Sequence, residues 1–131
     1  MAAQLLQGEG FKVRVEPQSG YLRAHVFDGT DSLPVSIAMW KLLGEQCRHY
    51  RAERLLVLED LVDTVELAEI DSVVRAMAGF GFAGIRIAFV ELRDDLPGNE
   101  HGEILAADHG IRVMVFSNET SARRWLLYGL D

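Results

Sequence analysis

The sequence predicts an α/β fold built around one mixed sheet. Three observations carry that expectation. The chain opens with two segments whose side chains alternate apolar and polar. After them, short apolar runs take turns with stretches of helical spacing. Finally, Gly110 to Leu127 reads as a buried strand followed by a capped helix that lays Ala122, Trp125 and Leu126 on one face. Strands separated by helices pair in parallel through right-handed crossovers.

Phe11 to Glu16 alternates apolar and polar, as a half-buried strand does. Pro17-Gln-Ser-Gly20 is a turn, and Tyr21 to Phe27 alternates again, so the pair forms an antiparallel hairpin. Asp28 to Ser32 opens a helix, with Asp31 or Ser32 as its cap and Pro34 in its first turn. That helix runs to about Arg51 and carries Met39, Leu43, Cys47 and Tyr50 along one stripe.

Leu55 to Leu58 is a short apolar run, typical of a strand covered on both faces. Asp63 and Glu66 have the spacing of a capping box, which predicts a helix from there through Leu67, Ile70, Val74 and Met77. Gly79, Gly81 and Gly84 end it. Ile85 to Val90 is the fourth strand, Asp94 to Asn99 a loop, and about Glu100 to His109 a short helix. Ile111 to Phe116 is the fifth strand, and Ser117 or Asn118 caps the last helix. The expected order is β-β-α-β-α-β-α-β-α: five strands, the first antiparallel to the rest. Residues 1–10 are read as an extension ahead of one domain spanning 1–131. Gly-Ile-Arg occurs at 84–86 and 110–112, each time entering a strand, and is read as one local junction met twice.

Composition narrows the function. The chain has 131 residues, 49% apolar and 25% charged, which is ordinary for a globular domain with its own core. Its net charge of −7, with Lys12 and Lys41 as the only lysines, argues against a nucleic-acid partner. The lone Cys47 leaves no internal disulfide and no cysteine zinc site. No signal peptide and no apolar run of about 18 residues is evident, so a cytoplasmic protein is expected.

No catalytic set assembles from the sequence. His25, His49, His101 and His109 lack the spacing of a metal helix, and no metal or cofactor is expected. Ser36, Ser117 and Ser121 lack a nucleophile-elbow setting. Cys47 on an apolar stripe reads as a packed hydrophobe. Gly79 to Gly84 leaves a helix and enters a strand, the reverse of a phosphate-binding loop. Glu59, Asp60, Asp63 and Glu66 cluster at the carboxyl end of the third strand, where open α/β sheets bind ligands. A solvated acidic loop with a helix cap explains them better. Leu33, Ile37, Trp40, Phe80 and Phe82 are candidates for an apolar pocket or a dimer surface, against the alternative of a broad core-facing helix.

The element order, with Arg86 to Val90 and Val113 to Leu126 as its most characteristic stretches, resembles the STAS domain of anti-sigma-factor antagonists. It is more similar still to the STAS-like proteins described as SpoIIAA-like. The resemblance runs from about Phe11 to Leu127. It implies a phosphorylatable serine following an Asp where the helix after the third strand begins, in the pattern Asp-Ser-Ser-Gly-Leu. Here that place reads Asp63-Thr-Val-Glu-Leu67, so Thr64 is the implied phosphosite. Val65 and Glu66 depart from the pattern. Ser72, in Ile70-Asp-Ser72, ranks second because it falls about two turns inside the expected helix. The resemblance implies a non-catalytic regulatory module that binds a protein partner or a second copy of itself. A carrier or sensor of a small apolar, lipid-like ligand is the alternative, and an enzyme using the carboxylates of 59–66 the third.

Overall fold

A computed structural model describes residues 3–63, 65–93 and 96–129, with only the backbone of 96–99. The chain is α/β, with a six-stranded mixed sheet and four α-helices among the described residues. The strands lie in chain order: β1 (Gln4–Gln7), β2 (Lys12–Gln18), β3 (Tyr21–Phe27), β4 (Arg54–Glu59), β5 (Arg86–Glu91) and β6 (Arg112–Phe116). β1 and β3 run antiparallel to β2, whereas β3 to β6 are mutually parallel.

The sixth strand corrects the expected five. Gln4 to Gln7 pairs with β2, so part of the segment read as an extension belongs to the sheet. Four residues are too few for a period of two to register, and only Leu6 packs toward the core. The unpaired edge of β2 supplies the drive, since its backbone groups need partners. β2 itself continues through Pro17 and Gln18, which shortens the expected turn to Ser19-Gly20.

The helices are α1 (Leu33–Tyr50), α2 (Ile70–Ala78), α3 (Leu96–Asp108) and α4 (Glu119–Tyr128). Ser32 caps α1, its hydroxyl accepting from the Val35 N–H at 3.3 Å, and Asn118 caps α4 by accepting from Ser121 at 2.9 Å. α2 does not start at Asp63. Asp63 takes a left-handed backbone (φ 61), and a 3₁₀ turn, Leu67–Glu69, precedes the helix. Glu66 makes no side-chain cap there, so the capping-box pattern misplaced the start by about two turns. α3 begins at Leu96 within the expected loop; proline costs little in a first helical turn because the N–H it lacks has no partner there.

A sheet whose parallel strands follow chain order, joined by right-handed crossovers, must put every crossover helix on one face. Accordingly α1, α2 and α3 bury the larger core, containing Met39, Leu43, Val74 and Met77 with Leu55, Val57, Ile87 and Phe89. α4 comes after the last strand and turns to the opposite face. There Ala122, Trp125 and Leu126 cover Leu56, Leu58, Ala88 and Val90. Among the described residues no helix is long and apolar enough to cross a membrane.

Candidate functional site

Alternation places Leu55, Val57 and Glu59 of β4, and Ile87, Phe89 and Glu91 of β5, on the face toward α1–α3. The last inward position of each strand is therefore a glutamate where the others are apolar. The parallel register sets Glu59 directly beside Glu91 at the carboxyl ends of the strands. Glu59 is 5% exposed. Two carboxyl groups side by side at the end of an otherwise apolar face are not what packing alone selects.

Two further carboxylates join them. The loops after β3 and β4 continue the parallel pairing: Thr30 bridges Val62, the Asp31 N–H donates to the Val62 carbonyl at 2.7 Å, and the Val62 N–H to Gly29 at 2.9 Å. This fixes Asp31, which is buried. Its Oδ1 accepts from the Ser32 N–H at 2.8 Å and the Ser36 hydroxyl at 2.7 Å, at the positive end of α1. Glu103 on α3 turns to the sheet, and its Oε2 accepts from the Val115 N–H at 3.0 Å.

The four carboxyl groups are among the residues lining a cavity of about 100 Å³ between α2, α3 and the sheet. Its walls are apolar: Trp40, Val73, Val74, Met77, Phe89 and Ala106. Trp40 is held by Phe82 edge-to-face at 5.7 Å and by Phe89 at 5.9 Å. A dry apolar cavity of about 150 Å³ accepts a benzene-sized guest, so this one suits a group somewhat smaller. Apolar walls suit hydrocarbon, and carboxyl groups in the lining suit a positively charged group beside it. Among the described residues no three His, Cys, Asp or Glu side chains are grouped to hold a metal ion.

The sequence cluster 59–66 separates in space. Glu59 lines the cavity, Asp60 pairs with Arg93 at 2.8 Å, and Asp63 and Glu66 stand exposed. Thr64 lies outside the described residues. Ser72 is exposed in the first turn of α2, not two turns into it. Of the five apolar candidates, Trp40 and Phe82 are buried together, while Leu33, Ile37 and Phe80 are half-buried; only Trp40 reaches the cavity. Burial pushes the Cys47 thiol up to about 12, as expected of a packed residue. His49, His101 and His109 are exposed. Asp31, Glu91 and Glu103 were not singled out as site residues from sequence. The parallel register that pairs Glu59 with Glu91 is the signal that finds one of them, and it exists only once the sheet is assembled.

No family model, curated protein or solved structure matches the chain.

Proposed function

We propose that this chain is a non-catalytic, STAS-like binding module whose cleft at the carboxyl ends of β4 and β5 receives a single side chain of a protein partner, one with an apolar stem and a cationic head. The observation that carries this reading is the cavity of about 100 Å³ whose lining combines apolar side chains with four carboxyl groups. Pockets for drug-sized molecules measure about 300–1,000 Å³. The volume here therefore favours a side chain over the lipid-like cargo of a carrier, although the apolar walls would suit either. Use of the 59–66 carboxylates in catalysis has less support, because Asp60 is engaged by Arg93 and Asp63 and Glu66 face solvent.

The STAS resemblance adds regulation. Thr64 stays a candidate phosphosite by the pattern of letters. Ser72 gains from its place in the first turn of α2, between the cavity residues Ile70 and Val73. Phosphate there would meet the helix dipole favourably and add negative charge beside the cavity.

The test uses n-butylammonium and n-butylguanidinium as side-chain mimics, followed by NMR. Saturable shifts are expected at the Trp40 indole and the Met77 and Ala106 methyl groups. Glu91→Gln with Glu103→Gln should weaken binding about tenfold or more, and neutral 1-butanol should bind far less. No saturable shift, or equal binding of 1-butanol, overturns the reading. A small molecule retained in native mass spectrometry of protein purified from its own host would replace it with the carrier.

A further inference from the structure

The repeated Gly-Ile-Arg gains a meaning at the opposite end of the sheet. Gly84 and Gly110 both take left-handed backbones (φ 80 and 73), and each releases the chain into a strand whose first residue is arginine. The register pairs Arg54 with Arg86, and Arg86 with Arg112. Neighbouring strands lie about 4.8 Å apart, so the backbones of three arginines stand in a row roughly 10 Å long across the amino ends of β4, β5 and β6.

Packing accounts for one of them. Arg86 donates to the Trp125 and Leu126 carbonyls at 3.2 Å, closing the negative end of α4. Its guanidinium carbon lies 5.2 Å from the centre of the Trp125 ring. Arg112 stacks on the same ring at 5.8 Å but, like Arg54, forms no ion pair among the described residues. Burial first, then the charges of Arg112 and Arg54, lower the pKa of Arg86 from its usual value, as expected of crowded like charges. The three arginines line a groove of about 390 Å³, and Glu53 is the one carboxylate among the described residues of its lining. A Cβ added at Gly84 or Gly110 would meet nothing within 4 Å, so the groove is open between the strands.

We infer that this groove is an anion site for a compound carrying two or more linked phosphates. Guanidinium forks bind phosphate oxygens bidentately. Arg54 and Arg112, with the remaining N–H groups of Arg86 between them, can engage successive charges along an oligophosphate, where a single carboxylate or orthophosphate would reach only one. The net charge of −7 makes the rest of the surface repel a long polyanion, which confines the fit to a small molecule. The site lies at the amino ends of the strands and does not rest on the cavity at their carboxyl ends.

Sodium tripolyphosphate is the probe, titrated calorimetrically at low salt and followed by NMR. Saturable binding is expected, with shifts centred on the Gly84 and Gly110 amides and a change in Trp125 fluorescence. Arg54→Gln with Arg112→Gln should weaken it about tenfold or more, with the thermal midpoint recorded to confirm folding; Arg86 is left intact because it closes α4. Glu53→Gln should tighten binding, and orthophosphate should bind about tenfold more weakly. No binding at millimolar tripolyphosphate, unchanged affinity in a folded double variant, or equal affinity for orthophosphate each overturns the proposal.

Discussion

A half-buried imidazole with an unpartnered nitrogen is the clearest pH-sensitive feature at the residue scale. Nε2 of His25 is buried and has no hydrogen-bond partner among the described residues. Burial holds the pKa of His25 below its usual value of 6.5, and Arg23 and Arg14 add to that against opposing effects of Asp60 and Glu119. The unfolded chain therefore takes up the proton at higher pH than the folded one. The stability this supplies is complete above about pH 6.5 and falls as pH drops toward the folded value. Urea unfolding in steps from pH 7 to pH 5 should show that fall, and His25→Phe should flatten it. An NMR titration midpoint for His25 at or above 6.5 contradicts the account. A separate loss is expected further into acid, where Glu119 protonates. Its carboxyl is held below the usual 4.5 by Arg23, which donates to it at 2.7 and 3.0 Å.

At the element scale, Gly44 gives a sign-sensitive test. It lies mid-way along α1, where alanine ordinarily stabilises a helix by about 1 kcal/mol. Here an added Cβ would come 2.7 Å from the Phe80 carbonyl oxygen. Gly44→Ala should therefore destabilise by about 1–3 kcal/mol, read from the denaturation midpoint; a raised midpoint would mean that α1 and the chain leaving α2 separate freely. The same scale explains what the sequence reveals. The starts of α1 and α4 were legible because Ser32 and Asn118 make their capping bonds within four residues. The start of α2 was not, because the left-handed turn at Asp63 sends the chain through a 3₁₀ segment first. β1 escaped notice because its pairing with β2, rather than its own pattern, makes it a strand. The cavity was half legible: Glu59 belonged to a visible acidic run, but its partner Glu91 lies 32 positions on and meets it only through the register of β4 and β5.

For the whole molecule, strand order decides how the layers are shared. Three helices cover one face, and α4 alone covers β4 to β6 on the other. Ending the chain at Phe116 would expose Leu56, Leu58, Ala88 and Val90 together, a continuous apolar surface in the middle of the sheet. The truncated protein should bind a hydrophobic dye strongly and sediment as large aggregates, while the full chain does neither. A well-behaved truncation product would mean that the second face does not need its helix.

The four residues of β1 have a consequence beyond closing one side of the sheet. Any open sheet can grow by recruiting strands from other molecules, and a long apolar border is the usual starting point of fibres. One border here ends in a short strand flanked by Gln4 and Gln7. At the other, the Val115 N–H already donates to Glu103. Both lateral templates are shortened by the chain's own residues, which leaves less border for a foreign strand to pair with.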